Sequence, residues 1–177
     1  MGIMLDAILV FTTERLRCRR WHPSDIEPLF AVYSDPDAMR WVGDGEPITR
    51  EQCEQWLAVT DTNYQKRGYG MFALEDRATG QVIGFCGLVH PGGQPDTEVK
   101  YALLKSHWGK GLATEAVGAL LTYGQREHGL SEIIATVAPA NLASQNVLRK
   151  VGMILSKVRE KPDGSHTQFF LWKVPSA

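Results

Sequence analysis

The sequence predicts a single α/β domain, a mixed sheet covered by helices. Three observations carry that expectation. Short apolar runs bounded by turn residues recur along the 177-residue chain, as strands do. Longer stretches place apolar residues at helical spacing, before the middle strands and again after them. One of the later helices joins two strands by a connection long enough to set them side by side in parallel.

The elements follow in order. Glu14 to Trp21 alternates Leu16 and Cys18 against arginines, which suits a strand with one wet face. Ser24 or Asp25 caps a helix with Ile26, Leu29, Phe30, Val32 and Tyr33 on its apolar stripe, and Asp35-Pro36 ends it. Thr49-Arg-Glu-Gln52 reads as a capping box that opens a helix burying Trp56 and Leu57. Tyr69–Leu74 and Val82–Val89 bracket Asp76-Arg-Ala-Thr-Gly80 as a hairpin, and His90–Asp96 is a loop. Glu98–Leu104 is extended, and Glu115–Tyr123 is helical beyond a glycine-rich turn. Glu132–Val137 is the next strand. Asn141 to Val151 is a short helix stopped by Gly152, and Met153–Val158 and His166–Val174 close the chain around Lys161-Pro-Asp-Gly164. No linker, repeat or low-complexity segment divides the chain. Residues 1–177 therefore read as one domain, with a core at 12–174.

Composition narrows the function classes. The chain is 44% hydrophobic and 22% charged with net charge −1, so nothing draws it to nucleic acid or an anionic membrane. Cys18, Cys53 and Cys86 are odd in number and lack metal-ligand spacing, which suits buried thiols in a reducing compartment. His22, His90, His107, His128 and His166 show no ligand spacing either, so no metal is expected. Met1 to Phe11 is apolar but carries Asp6 and no basic n-region, so it does not read as a signal peptide. Gly2 lacks the Ser or Thr of a myristoylation signal. A cytoplasmic location is the expectation.

The most informative stretch is His107-Trp-Gly-Lys-Gly-Leu-Ala-Thr-Glu-Ala116. A strand, a glycine turn and a helix start form a socket for a diphosphate. Glycines let the backbone approach the ligand, and the free N–H groups of the first helical turn point at it. The helix dipole adds roughly 0.3–1 kcal/mol for an anion. The alternative is a glycine-softened loop. A Walker loop fails on spacing, and a dinucleotide fingerprint fails because Thr114 holds its third glycine position. A hydrolase elbow of the form G-x-S-x-G is absent.

This order and turn resemble the GNAT superfamily of acetyl-CoA-dependent N-acetyltransferases. Its diphosphate motif is Gln/Arg-x-x-Gly-x-Gly/Ala, matched here by Trp108, Gly111 and Ala113, with Trp in the first place. That replacement resembles the ribosomal-protein N-acetyltransferase (RimJ/RimL-like) branch. So do Thr13–Arg17, Tyr33–Asp37 and Asn141–Ser144 leading to Gly152. The resemblance implies a mostly antiparallel sheet splayed at its centre, with the pantetheine arm of acetyl-CoA lying in the splay. Ala102, Leu103 and Leu104 would offer it backbone groups, an N–H near Leu103 polarising the thioester carbonyl. Gly109, Lys110, Gly111, Ala113 and Thr114 would cradle the diphosphate, and a side chain at Gly111 would intrude on it. Lys110 adds a positive charge there or is a solvated surface lysine.

Acetyl transfer needs a neutral amine, a stabilised oxyanion and a proton for the leaving thiolate. The resemblance makes Glu98 the general base; read alone, it is a partly exposed strand carboxylate beside a basic neighbour. Glu160 is a second carboxylate on the acceptor side. Asn141 is a helix N-cap and, by resemblance, a pantetheine contact. Ser144 is a first-turn residue or the proton donor to the thiolate. Trp41 and Trp56 could line an acceptor pocket, but core packing is the commoner fate of such tryptophans and they are assigned there. The expected activity is acetyl transfer to a protein N-terminal amine or a small-molecule amine, and a non-catalytic acyl-CoA sensor is the alternative. Membrane and nucleic-acid partners are not expected, and a homodimer is left open.

Overall fold

The computed structural model describes residues 8–175. The expectations drawn for residues 1–7, the absence of a leader and of a myristoyl anchor, lie outside them. An eight-stranded sheet forms the centre, in the order β1-β2-β3-β4-β5-β6-β8-β7. Its strands are β1 (Leu9–Thr12), β2 (Leu16–Arg20), β3 (Met71–Asp76), β4 (Val82–Val89), β5 (Glu98–Leu103), β6 (Glu132–Val137), β7 (Ile154–Glu160) and β8 (His166–Lys173). Neighbours are antiparallel except β5 and β6, which the long crossover helix α4 (Leu112–His128) joins in parallel. The mixed α/β architecture is the expected one, and no described helix is long and apolar enough to cross a membrane.

Two elements differ from expectation. Leu9–Thr12 forms an edge strand against β2, so the sheet gains a strand. Val10 and Phe11 in it are half-buried against the core. Asp35-Pro36 ends α1 (Ile26–Tyr33) and also starts a short helix, α2 (Pro36–Met39). There Asp35 accepts the Ala38 N–H at 2.9 Å, and proline suits a first turn whose N–H has no helical partner.

The capping box at Thr49 forms as read. Its side chain accepts the Gln52 N–H while the Gln52 side chain accepts the Thr49 N–H, opening α3 (Arg50–Arg67). Alternation along the strands sends Phe72, Leu74 and Leu88 to the face covered by α4 and α5 (Leu142–Lys150). Met71, Ala73 and Phe85 go to the face covered by α1 to α3. Each large side chain so buried contributes about 1.5–3 kcal/mol. The buried Arg19 donates to both Asp25 and Glu75, tying the start of α1 to β2 and β3. Cys18 and Cys86 meet with their sulfurs 3.9 Å apart, and all three cysteines are buried free thiols. Burial pushes the Cys18 thiol well above its ordinary pKa.

Gly84 sets how closely β4 approaches β5. A Cβ there would lie 2.2 Å from the Ala102 carbonyl oxygen, inside any allowed contact. Gly84→Ala therefore drives the two strands apart, and urea unfolding should show a loss of about 1–3 kcal/mol or more. Wild-type stability in that variant would mean the strand spacing is slack.

Candidate functional site

β5 and β6 are held together at one place. Glu98 pairs with Ile134, whose N–H donates to the Thr97 carbonyl at 2.8 Å. Beyond that point the strands part around a cleft of about 740 Å³. The parity of the ladder decides which backbone groups face it. Leu104 donates its N–H to Ile83 on the β4 side at 2.8 Å. Alternation then turns the backbone of Ala102 toward β4 as well, and that of Tyr101 and Leu103 toward the gap. Among the three residues expected to offer backbone, Leu103 alone does so. Ala102 lines the cleft without its hydrogen-bonding groups, and Leu104 does not line it. Tyr101 was missed, because register against β4 is not written in the local sequence.

At the open end of the gap, Gly109 and Gly111 adopt φ of +72° and +77°, a region closed to most side chains. Gly111 begins α4, and no side chain caps that helix. The N–H groups of its first turn, at Leu112, Ala113 and Thr114, therefore stay available at the cleft. Trp108 donates its indole N–H to the Leu103 carbonyl at 2.8 Å, fixing the end of β5. The turn between β1 and β2 braces the glycine loop from outside. Arg15 donates to the Lys110 carbonyl at 2.7 Å and to Glu115 at 2.9 Å, and Thr13 donates to Glu115 at 2.6 Å.

Two expectations change here. A Cβ on Gly111 would meet the Arg15 guanidinium at 3.5 Å, so that side chain points at the brace; one on Gly109 would meet open space. Lys110 does not line the cleft, whereas Arg40, Lys150 and Lys161 do. Arg40 follows α2, Lys150 ends α5 and Lys161 lies in the β7–β8 turn, and only the fold brings them to one cleft.

Glu98 is only 4% exposed, more buried than the sequence suggested. Its carboxylate accepts from Thr136 at 2.5 Å and Gln94 at 3.4 Å, with the Lys100 ammonium at 3.6 Å. The basic neighbour expected from the sequence is Lys100. Glu160 is exposed at the end of β7, outside the cleft lining, although Lys161 beside it lines the cleft.

Asn141 caps α5 by accepting the Ser144 N–H at 3.2 Å. That bond uses its oxygen and leaves its amide N–H groups at the cleft it lines. Ser144 shares a 2.5 Å hydrogen bond with the Tyr101 hydroxyl. Burial pushes the Tyr101 pKa up to about 12 against the opposing effect of that hydrogen bond, so the phenol stays neutral. Trp41, assigned to the core, is 46% exposed and lines the cleft. Trp56 packs against the α1–α3 core and also walls a second, smaller cavity.

Comparison with known proteins points to one family. A family model described as an acetyltransferase (GNAT) domain matches residues 15–154. YkkB of Bacillus subtilis (strain 168) is 32% identical over 160 residues, covering 89% of this chain and 92% of that protein. The uncharacterized N-acetyltransferase YoaA of the same organism is 30% identical over 145 residues, 81% of each chain. Among solved structures, RimL, a ribosomal L7/L12 alpha-N-protein acetyltransferase in complex with coenzyme A, superposes with a TM-score of 0.80. It is 15% identical, over 94% of this chain and 98% of that one, a likeness of fold.

The brace on the glycine loop is testable by pH. Burial opposes ionisation of Glu115, but hydrogen bonds from Thr13 and Arg15 outweigh it and hold its carboxyl below the ordinary value of 4.5. A depressed carboxyl contributes stability that is complete above its ordinary pKa and is lost as pH falls through the folded one. Glu115→Gln should lower the melting temperature near neutral pH and reduce the further loss on acidification below pH 4.5. An unchanged acid profile would show that the brace contributes nothing.

Proposed function

The chain belongs to the GNAT acetyltransferase family, and from that premise we propose that it moves an acetyl group from acetyl-CoA to a primary amine by direct attack in a ternary complex. One observation carries the proposal: an uncapped helix start and the inward-facing backbone of Tyr101 and Leu103 border the same cleft. Acetyl-CoA supplies the activated acetyl thioester. Main-chain N–H groups of Gly109, Gly111, Ala113 and Thr114 would hold its diphosphate, with Arg40, Lys150 and Lys161 offsetting the charge. Backbone of Tyr101 and Leu103, with the Asn141 amide, would hold the pantetheine arm as an added strand. The complex of RimL with coenzyme A supports this choice of co-substrate.

Glu98 takes the excess proton of an ammonium acceptor, directly or through water, and so delivers the neutral amine. The amine nitrogen bonds to the acetyl carbon, the carbon–sulfur bond breaks, and the one proton lost by nitrogen ends on the thiol. The Leu103 N–H would stabilise the oxyanion. Ser144 passes the proton to sulfur, and Tyr101 at 2.5 Å orients its hydroxyl. No step needs an acetyl-enzyme. Buried free thiols fit a reducing compartment, and we place the protein in the cytoplasm.

Thermal unfolding with saturating acetyl-CoA tests the socket first. Ligand at 100 times its Kd adds about 2.7 kcal/mol and should raise the melting temperature by a few degrees, with NADH and ATP giving no such shift. Gly109→Asp should abolish the shift, since its carboxylate would stand in open space on the glycine loop. A shift that survives Gly109→Asp would remove the loop from the binding site. Glu98→Gln should keep acetyl-CoA affinity while lowering turnover roughly 10²-fold. Equal turnover of variant and wild type would take Glu98 out of the mechanism. Acetyl-CoA binding without transfer to any class of amine would leave a binding domain.

A further inference from the structure

A second cavity, of about 340 Å³, lies between the α1–α3 layer and the sheet face formed by β3, β4 and β5. It shares Val42, Gly43, Asp44 and Lys100 with the cleft. The Lys100 ammonium stands 3.6 Å from the Glu98 carboxylate, so the two spaces meet beside the proposed base.

The walls of this cavity are flat and apolar. Tyr33 stacks on Phe85 with centroids 4.5 Å apart and planes 10° from parallel. Trp56 leans on Tyr33 at 4.8 Å, Met39 and Met71 add to this apolar wall, and Asn63, Tyr69 and His90 add polar groups elsewhere in the lining. The two ends differ in position across the sheet. Arg67 is the last residue of α3, where the chain turns into β3, while Lys100 sits on β5, two strands away. β3 and β5 themselves lie two strand spacings apart, roughly 10 Å.

The charges inside are cationic. Arg67 makes no ion pair among the described residues, and Lys100 has Glu98 as its partner. The acidic residues of the lining, Asp44 and Glu46, lie on an exposed loop at the rim. An arginine at a helix C-terminus is favourable in itself. Lys66 meets that need equally without lining the cavity, so the dipole does not account for where Arg67 sits. A guanidinium beside an apolar slot matches a carboxylate through paired N–H groups. A polyamine would place its second cation against Arg67 or Lys100. A volume of 340 Å³ is at the small end of small-ligand sites and suits a small acceptor.

We infer that the acceptor is a small amino-carboxylate on a flat, apolar body, its carboxylate on Arg67 and its amine presented past Lys100 to Glu98. This rests on the acetyl-transfer reading for the role of the amine, but its test does not need turnover. CoA-saturated protein is titrated calorimetrically with para-aminomethylbenzoate and with para-methylbenzylamine, the same body without the anion. Wild type should bind the carboxylate at least tenfold more tightly. Arg67→Gln, with an unchanged melting temperature, should bind both equally, and Arg67→Lys should keep part of the preference. Equal binding by wild type, no binding of either probe, or a preference that survives Arg67→Gln would overturn the inference. Should Arg67→Gln not fold, the two probes on wild type decide alone. Failure of the transfer reading shows elsewhere, as no thiol release from acetyl-CoA with any amine. The carboxylate preference would persist in that case and would still assign the cavity.

Discussion

A parallel pair of strands joined at one point and then parted is the constraint on which the rest depends. Backbone N–H and C=O groups of a strand must find partners, and in an unbroken sheet the next strand supplies them. Here β5 meets β6 at Glu98 and Ile134 and then leaves its inner row, at Tyr101 and Leu103, facing a cleft. Such a row inside a protein is an edge that accepts an extended ligand as it would accept a strand.

What keeps the strands from closing is visible in the side chains that replace the missing ladder. Trp108 takes the Leu103 carbonyl that β6 would otherwise bond. On the far side, the buried Gln145 donates to the carbonyls of Ala138 and Pro139, turning the chain away just past the end of β6. Tyr101 and Ser144 then bridge β5 to α5, leaving space where a strand partner would lie. The narrow end is locked by Thr136 donating to Glu98. The residue proposed as base therefore also closes the vertex of the gap, and its burial follows from that second duty.

Much of the fold was legible. The Thr49 box, the strand runs and the glycine turn are local, and each has a short-range physical cause that survives folding unchanged. The uncapped helix start behind the glycines at 109 and 111 was legible for the same reason, since these positions are close in sequence. Leu9–Thr12 was not, because a short apolar run has no period of its own and takes its role from β2. Ladder parity at Ala102 and Leu104 was hidden likewise, being set by register against β4. Lys110, left open between a diphosphate charge and a surface lysine, is exposed and off the cleft, while Arg40, Lys150 and Lys161 reach the cleft from distant segments.

The two faces of the site differ in how they are made, and that difference explains what the sequence discloses. The co-substrate side is built from main chain: a turn, a helix start and a strand edge. Its recognition depends on backbone geometry, which a few glycines and caps encode. The proposed acceptor side is built from side chains on α1, α2, α3 and their loops, meeting across the sheet only in the folded state. Exchange of Tyr33, Trp56 or Arg67 would reshape that cavity without disturbing the strand gap, which these residues do not line. One fold can thus keep its acetyl donor while its acceptors diverge, and in this chain the specificity should be sought in α3 and the loop at Val42–Glu46, beside the gap proposed to perform the transfer.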